Sequence, residues 1–400
     1  MALSIDDRVI FLGDGLPPIP ERLLLAHARG EVIFICGAGI SKPAGLPDFR
    51  QLVVDVYQSL DSAVHEVIAD PLSHTTKTTK PDCSSLNGAQ TAEVRRFTQG
   101  DYDVVLGMLE RRLDDRTRGD SSVRREVAKL LRAGGTKPAP IHRALMRLAD
   151  RGGAATIVTT NFDLLLQAAG KRLPYPVETY SLGSIPRPTR RNDFAGVLHI
   201  HGALDPNPSR TSELVLSDQD FGEFYLRRRT VPDFIYDAAR LFHLVLVGYS
   251  ANDPPMRYLL NAVAADHARF DDLRERFTFF GTDTHDPVAL EDWKARGITP
   301  IPYDSKNGHD LLRQVLERWA DLSAINGKTA TVDKEIRRIV KTPRAAASEP
   351  DRDLFDHLLR RSNDSDRIRL SALASDAKAE LEWLDAIMNI YAERDRGHRS

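Results

Sequence analysis

Residues Glu31–Arg50 read EVIFICGAGISKPAGLPDFR, a run of apolar residues that ends in a turn rich in glycine and proline. The first part, Glu31–Cys36, is apolar on both faces, which is typical of a central strand in a parallel sheet. Gly37 and Gly39 follow directly, where glycine allows a tight turn and a close approach of the backbone to a phosphate. The next helix is expected to direct its free N–H groups at the ligand. The stretch therefore predicts a ligand site at the carboxyl end of this strand.

The glycine spacing leaves a second interpretation open. Lys42 stands where the fingerprint G-x-G-x-x-G has its third glycine, so the glycine pair is also compatible with a purely structural turn. The loop behind the turn favours a site, because two prolines stiffen it and it ends in Asp48, Phe49 and Arg50. An acid, a ring and a guanidinium on a rigid loop indicate the wall of a binding site. A surface loop with an ion pair is the alternative.

Further apolar runs along the chain resemble this first strand. They are Ala155–Thr160, Val197–Gly202, Leu244–Ser250, Phe277–Asp283 and, as the last strand, Ile298–Tyr303. Helical patterns such as IHRALMRLAD and GHDLLRQVLERWADL separate them. Strands that alternate with helices predict an α/β fold, a Rossmann-like doubly wound parallel sheet.

One long interval interrupts this alternation. Residues 51–140 contain helical patterns and no convincing strand, so we interpret them as a helical insertion after the first βα unit. The predicted organisation is a Rossmann-like core formed by residues 1–50 and 141–325, followed by a helical C-terminal region from 326 to 400. The insertion interrupts that core.

Composition excludes several classes of function. The 400 residues include 55 Lys and Arg against 57 Asp and Glu, and this net charge of −2 does not directly indicate nucleic acid as a partner. Two cysteines, Cys36 and Cys83, cannot form a four-cysteine zinc site. The start, MALSIDDRVI, lacks the pattern of a signal peptide, and no run is long enough to span a membrane. We therefore expect a cytoplasmic protein.

Four motifs together resemble the sirtuin family. GAGISKPAGLPDFR is similar to the sirtuin NAD-binding turn and its following Gly-Ile-Pro-Asp-Phe-Arg loop, with Leu46 as the departure in that loop. TTNFD (Thr159–Asp163) resembles the Thr-Gln-Asn-Ile-Asp motif, HIHG (His199–Gly202) the catalytic His-Gly, and VGYSANDP a cofactor-binding Gly-x-Ser loop. The resemblance covers roughly residues 20–320, and each motif falls at the end of a predicted strand.

Two departures from sirtuin deacylases refine this resemblance. The zinc ribbon of the deacylases is missing, and Thr160 stands where they have Gln. In this respect the chain is similar to sirtuin-like (SIR2-type) NAD-hydrolysing effectors of bacterial anti-phage defence systems. The resemblance implies NAD as a substrate, no structural zinc, and a helical insertion in place of the zinc module.

The resemblance also implies roles for individual residues. Asn161 would hold a ribose hydroxyl and the attacking water, and His201 would take a proton from a ribose hydroxyl, so these two are the predicted catalytic residues. Asp163 and Asp48 would hold the nicotinamide carboxamide, Phe49 would cover the ring, and Arg50 would meet a ribose or phosphate oxygen. The remaining predicted contacts to the cofactor are Gly37, Ala38, Gly39, Ser41, Gly248, Ser250, Asn252 and Asp283.

Structural interpretations of the same residues remain open. Asn161 is also compatible with the cap of a helix that starts at Phe162. His199 and His201 lie two residues apart on a predicted strand, and we expect only one of them to face the site. Gly202 favours His201 as the residue that faces the site, which leaves His199 as a core or supporting histidine.

The leading hypothesis for function is an NAD+ glycohydrolase, which converts NAD+ to nicotinamide and ADP-ribose and serves as a defence effector. An NAD-dependent protein deacylase is one alternative, since DFGEF (Asp220–Phe224) resembles a substrate-side loop. A non-catalytic module that senses NAD or ADP-ribose is the other. Retained Asn161 and His201 argue against a sensor, because a sensor needs neither.

A free NAD hydrolase would be toxic, so we expect the site to be controlled by assembly. Apolar positions recur at spacings of four and three residues between Leu370 and Tyr391, a pattern typical of a coiled-coil stripe. A helix packed on its own core is the alternative. The stripe predicts a homo-oligomer, regulated by a phage component or by a protein partner. The resemblance to defence effectors makes a HerA-family ATPase one candidate partner.

Overall fold

The computed structural model describes residues 8–69, 81–114, 121–134, 137–189, 194–207, 213–249, 273–282 and 287–397. For residues 394–397 it describes the backbone only. Within these ranges, strands alternate with helices over the central part of the chain. The strands are Val9–Ile10 (β1), Ile19–Pro20 (β2), Val32–Cys36 (β3), Thr156–Thr159 (β4), Thr179–Ser181 (β5), Gly196–His199 (β6), His243–Val247 (β7), Arg276–Thr282 (β8) and Thr299–Asp304 (β9).

Seven of these strands form one parallel sheet in the order β5-β6-β4-β3-β7-β8-β9. All six strands predicted from apolar runs lie in it, and the Rossmann-like fold is confirmed. The sequence did not indicate β5, a three-residue edge strand without buried positions, or the β1–β2 antiparallel pair, whose strands have two residues each. Such short strands carry too few residues for a recognisable period.

The central strand β3 is buried on both faces. Its Phe34 lies opposite Ile157 of β4 and Val245 of β7, and these three residues belong to one apolar cluster. Ile33 and Ile35 point to the other face and join a second cluster. Successive side chains of a strand point to opposite faces, so a strand this apolar is stable only between two layers of helices.

Helices cover both faces of the sheet. They are Glu21–Ala28 (α1), Phe49–Leu60 (α2), Ser62–Ile68 (α3), Gly88–Thr98 (α4), Tyr102–Leu113 (α5), Ser122–Ala133 (α6), Pro140–Leu148 (α7), Leu165–Gly170 (α8), Asp218–Phe221 (α9), Thr230–Leu241 (α10), Pro287–Ala295 (α11), Lys306–Leu322 (α12), Thr329–Ile339 (α13), Glu349–Arg360 (α14), Asp364–Asp376 (α15) and Leu381–Gly397 (α16). In the described parts, no helix is both long and apolar enough to cross a membrane.

The range 51–140 is helical in its described parts and contains no strand there. Helices α2 to α6 pack around a third apolar cluster of their own, which includes Tyr57, Leu106 and Val127. The same cluster takes in Phe162 and Leu204, which lie just after β4 and near the end of β6. The insertion therefore packs directly on the carboxyl ends of the sheet strands.

The stripe predicted between Leu370 and Tyr391 does not lie on one helix. Helix α15 ends before Lys378, whose φ is +56°, and α16 begins three residues after it. Leu370 is buried, whereas Leu381 and Met388 are 70% and 67% exposed. The prediction of a continuous stripe was wrong because the chain turns between the two helices, which changes the phase of the helical period.

Helix α16 packs on the protein itself through other residues. Trp383, Ile387 and Ile390 are buried, and the ring of Trp383 lies 4.5 Å from that of Phe355 in α14. This arrangement matches the alternative in which the helix packs on its own core. Oligomerisation stays a prediction.

Candidate active site

The turn after β3 packs tightly against the turn after β7. Gly37 and Gly39 donate their amides to the carbonyl oxygens of Val247 and Gly248, each at 2.9 Å. A Cβ at Gly39 would lie 2.8 Å from the Gly248 oxygen, and one at Gly37 would lie 2.5 Å from the ring of Tyr249. Glycine is thus required here because two backbone turns touch, a reason the sequence does not show.

The chain does not enter an α-helix directly after this turn. Two 3₁₀ turns, Ala38–Ile40 and Lys42–Ala44, come first, and α2 begins at Phe49. The amides of Ile40 and Ser41 donate to carbonyl oxygens of the same turn. The expectation of a helix that directs free N–H groups at a ligand was therefore wrong for this segment, because the amides of Gly39, Ile40 and Ser41 are already bonded to protein carbonyl oxygens.

Ser41 is the centre of a buried hydrogen-bond network. Its hydroxyl donates to Oδ2 of Asp163 at 2.8 Å and accepts from Nδ2 of Asn161 at 3.1 Å. Nε2 of His142 lies 3.3 Å from the same oxygen. Asn161 also donates to the carbonyl oxygen of Gly37 at 3.1 Å. The network therefore joins the glycine turn to the residues after β4 and to helix α7.

Helix α7 sets the orientation of His142. The ring nitrogen Nδ1 accepts a hydrogen bond from the amide of Ala139 at 3.1 Å, so the neutral ring carries its proton on Nε2 and donates it to Ser41. Burial lowers the pKa of His142 to about 4, which keeps the ring neutral at physiological pH. Burial raises the pKa of Asp163, although the hydroxyl of Ser41 and the amide of Leu165 stabilise its charged form.

Asn161 does not cap a helix, so that alternative was wrong. Helix α8 begins only at Leu165, and the Asn161 side chain points back to the glycine turn. The carbonyl oxygen of Asn161 accepts from Nδ1 of His199 at 2.7 Å. His199 therefore supports the backbone of Asn161, as the interpretation of a supporting histidine predicted.

His201 lies beyond the end of β6, because that strand stops at His199. Its Nε2 is 2.6 Å from the hydroxyl of Tyr225, and its ring packs edge-on against Phe221 with 5.4 Å between centroids. Burial lowers the pKa of His201 to about 3 and raises that of Tyr225, so both side chains are neutral. Tyr225 belongs to a π-helical turn, Gly222–Arg227.

The Asp48–Phe49–Arg50 triplet faces the insertion. Asp48 caps α2 by accepting from the amide of Gln51 at 2.9 Å, and it pairs with Lys42 at 2.7 Å. Burial opposes its ionisation, but these two partners lower the pKa of Asp48 below its ordinary value. Phe49 is buried against the edge of Tyr102, with 6.4 Å between ring centroids.

Arg50 completes this side of the site. Its guanidinium lies over the ring of Phe97, 5.3 Å from the centroid. Two consecutive residues therefore hold the two acids of the predicted site, since Ser41 binds Asp163 and Lys42 binds Asp48.

Three other predicted residues, Ser250, Asn252 and Asp283, lie outside the described residues.

Three residues of the candidate site were not predicted from the sequence. His142 follows Pro140 at the start of an ordinary amphipathic helix, and nothing in that pattern singles it out. Tyr225 stands directly after the DFGEF stretch. Tyr249 lies inside the VGYSANDP motif, and its hydroxyl donates to the carbonyl oxygen of Cys36 at 3.0 Å. Only the last two had a nearby motif as a signal.

A cavity of about 490 Å³ lies close to the end of β6 in the described part of the chain. Its wall includes Ile200, which precedes His201, together with Pro186 and Phe234. Asn161, Ser41 and Asp163 are not among its described lining residues, so the geometry of the hydrogen-bond network defines the candidate active site better than the cavity does. Within the described ranges, no group of three or more His, Cys, Asp or Glu side chains could hold a metal ion.

Residues 155–301 match the family model described as SIR2-like domain. The protein contains a SIR2-like domain. The matched range of this SIR2-like domain begins just before β4 and includes Asn161, Asp163 and His201, whereas the glycine turn at Gly37 precedes it. The residues brought together at the candidate active site thus come from both inside and outside the matched range.

One curated relative of the chain has no described function. The chain is 32% identical over 373 residues to the uncharacterized protein y4cA of Sinorhizobium fredii (strain NBRC 101917 / NGR234). The alignment covers 87% of this chain and 28% of that protein. The chain therefore spans less than a third of the length of this relative.

Solved structures of Sir2 proteins also align with the chain. One, described as "Structural Basis for the Mechanism and Regulation of Sir2 Enzymes", is 16% identical with a TM-score of 0.33, over 75% of this chain and 96% of that chain. An ADP-ribose complex of a mutant Sir2 homologue is 12% identical with a TM-score of 0.32, over 74% and 95%. Similarity at this level adds nothing to the fold assignment, which rests on the sheet topology.

Proposed function

We propose that this protein is an NAD+ hydrolase that cleaves NAD+ to nicotinamide and ADP-ribose. The observation that supports the proposal most directly is the buried network of Asn161, Ser41 and Asp163, with His201 after the neighbouring strand β6. A match to a SIR2-like domain and an ADP-ribose complex among the aligned Sir2 structures agree with a nucleotide of this type. Open parallel sheets bind their ligands at this edge.

In the proposed reaction the bond between nicotinamide nitrogen and ribose C1′ breaks. The electron pair leaves with nicotinamide and neutralises its ring, while positive charge develops on the ribose. The oxygen of a water molecule then forms a bond to C1′, and the proton it loses passes to a base. The protein must therefore hold the leaving carboxamide, position the water and accept one proton.

Asn161 and Asp163 take the first two tasks in this proposal. Both hydrogens of the Asn161 amide are engaged by Gly37 and Ser41, so Oδ1 is the atom that it offers to the water or to a ribose hydroxyl. Asp163 accepts from the nicotinamide carboxamide in this proposal, and burial raises the pKa of its carboxyl group.

His201 accepts the proton. It is neutral, as a general base must be before reaction, but burial lowers its pKa to about 3, so the proposal requires that substrate binding raises this pKa toward the working pH. In the tautomer with the proton on Nε2, the ring donates to the oxygen of Tyr225 and the basic lone pair lies on Nδ1. The hydroxyl of Tyr225 thereby fixes the orientation of the ring in this proposal.

The glycine turn and the turn after β7 would hold the nucleotide. Gly37, Ala38, Gly39, Ser41 and Gly248 are the described residues of this surface, and Ser250, Asn252 and Asp283 are predicted to extend it. Asp48, Phe49 and Arg50 remain predicted contacts as well. Because they now contact the insertion, we propose that they reach NAD+ only when the insertion moves.

An NAD+ consumption assay with and without an acetyl-lysine peptide tests the proposal. Release of nicotinamide and ADP-ribose in equal amounts without peptide supports a hydrolase. Turnover that requires the peptide and yields a deacylated product would identify a deacylase instead. Binding of ADP-ribose without any turnover by the purified protein, alone or in its native assembly, would identify a nucleotide sensor.

We further propose that the hydrolase acts in the cytoplasm as a defence effector whose assembly controls the site. A homo-oligomer, with a phage component or a HerA-family ATPase as regulator, is the form predicted from sequence. Light scattering over micromolar concentrations tests this part. A monomer at every concentration with an unregulated rate of NAD+ hydrolysis would contradict it.

A further inference from the structure

Residues 213–227 cover the imidazole of His201, and we call them the covering segment. The amide of Val215 donates to the carbonyl oxygen of His201 at 2.8 Å, and Tyr225 contacts the ring nitrogen at 2.6 Å. A Cβ at Gly202 would lie 2.0 Å from the carbonyl oxygen of Glu213, so the segment passes directly against the backbone that follows His201. The covering segment therefore sets the position of the His201 ring.

A single carboxylate oxygen organises the covering segment. Oδ2 of Asp220 accepts from the amides of Leu216 and Ser217 and from the Ser217 hydroxyl, each at 3.0 Å. The fourth donor to the same oxygen is Nη2 of Arg124, at 2.6 Å. Three of the four donors belong to the covering segment, and the fourth comes from helix α6.

Arg124 ties the covering segment to the helical insertion. It is 5% exposed, and its Nη1 donates to the carbonyl oxygen of Leu214 at 2.5 Å. Its Nε donates to Glu110 of α5 at 2.9 Å. One guanidinium thus binds two points of the covering segment and one helix of the insertion, a use that its planar arrangement of five N–H donors allows.

Helix α5 of the insertion also contacts the covering segment, at Asp218. A Cβ at Gly107 would lie 2.1 Å from Oδ1 of Asp218, so this helix approaches the covering segment closely. Arg111 pairs with the same oxygen at 3.2 Å. The insertion and the covering segment therefore meet over an extended contact, with Arg124 as its buried part.

We infer that Arg124 is a positioning residue for His201, which acts through Asp220, Leu214 and Tyr225 without touching the substrate. For its catalytic readout this inference rests on the proposed NAD+ hydrolysis. Its consequence is that the insertion, which holds none of the predicted catalytic residues, is needed for turnover. A shift of about 1 Å in a catalytic group is enough to cost about a hundredfold in rate.

Arg112 provides a matched control in the same insertion. Its Nε donates to Glu93 at 2.8 Å and its Nη2 to Asp61 at 2.6 Å. Neither partner belongs to the covering segment. Replacing either arginine by glutamine leaves a buried carboxylate without its charge partner, so a general loss of stability affects both variants.

The experiment compares Arg124→Gln with Arg112→Gln, each with and without Tyr225→Phe. Hydrogen exchange of the folded proteins is expected to increase in residues 213–227 for Arg124→Gln only. For NAD+ hydrolysis, Arg124→Gln is expected to lower kcat about ten- to a hundredfold more than Arg112→Gln, with KM changed less. Tyr225→Phe should lower kcat about tenfold beside Arg112→Gln and have little further effect beside Arg124→Gln.

Equal exchange in residues 213–227 for both variants, together with an equal effect of Tyr225→Phe beside each, would overturn the inference. Asp220→Asn serves as a milder second variant if Arg124→Gln does not fold, because the amide oxygen still accepts from Leu216 and Ser217 while Arg124 loses its charge partner in the covering segment and keeps Glu110. Absence of NAD+ hydrolysis in the wild type would refute the proposed function alone, since the exchange comparison does not need turnover.

Discussion

The hydroxyl of Ser41 donates to Oδ2 of Asp163 at 2.8 Å, across 122 positions of the chain. This contact joins the turn after β3 to the residues after β4, the strand beside it in the sheet. Asn161 and His142 donate to the same hydroxyl oxygen. The Ser41 hydroxyl therefore bonds to all three of the other polar residues in the network.

Replacement of Ser41 by alanine is expected to destabilise the fold by about 1–3 kcal/mol, because three buried polar partners lose their hydrogen bond at once. Urea unfolding measures the loss. Ser362→Ala is the matched control, a buried serine that donates to the carbonyl oxygen of Leu358. A loss for Ser41→Ala no larger than for the control would mean that the network contributes little to stability.

Gly39→Ala is expected to destabilise by about 1–3 kcal/mol and to lower ADP-ribose affinity, because its Cβ would lie 2.8 Å from the Gly248 oxygen and force the two turns apart. Gly88→Ala, at the start of α4, has nothing within 4 Å of the new Cβ and should be neutral or slightly stabilising. Denaturation of both variants, with calorimetric titration of ADP-ribose, checks the difference. Equal stability and affinity would contradict the close contact of the turns.

Asn161→Ala and His201→Ala are each expected to lower NAD+ hydrolysis by about two to four powers of ten, the usual effect of removing a proton-transfer or positioning group. Asn363→Ala, which removes a helix cap in the C-terminal region, and His27→Gln, which alters a buried histidine elsewhere, serve as controls. Initial rates of nicotinamide release measure the effect. Full turnover by the two folded site variants would refute the assignment.

Stability is expected to fall as the pH decreases from about 6.5 to about 4. Burial lowers the pKa of His27, His142 and His199 to about 4 and that of His201 to about 3, whereas unfolded histidines titrate near 6.5. In this window the unfolded state binds more protons than the folded state. Each of these histidines therefore lowers the free energy of unfolding by about 1.4 kcal/mol for every pH unit of acidification. Asp163, whose pKa is raised by burial, acts in the opposite sense.

Urea midpoints between pH 7 and pH 4 measure this dependence. His27→Gln removes one of these four histidines, the one that lies outside the candidate site. The dependence of the urea midpoint on pH should then be less steep. A midpoint that stays constant from pH 7 to pH 5 in the wild type would show that these histidines are not neutral in the folded protein.

Sequence alone determined the parallel sheet and the strand ends at which the candidate catalytic residues lie. Apolar runs such as Glu31–Cys36 read as buried strands because a parallel sheet covered on both faces admits little else. The motifs at Asn161 and His201 follow strands, and strand ends meet at one edge of a parallel sheet. Periodicity placed the helices of 51–140, but it failed at the C-terminal stripe, where one turn changed the phase of the period.

Only the tertiary structure decided which residues hold the site together. His142 lies 101 positions from Ser41 and Arg124 lies 96 from Asp220, and no local pattern encodes contacts across such separations. Glycine at position 39 looked like a phosphate contact, whereas the fold requires it because a second turn occupies the space of a Cβ. Hydrogen bonds between distant segments form after the elements pack, so the physical reason for these residues lies in the packing.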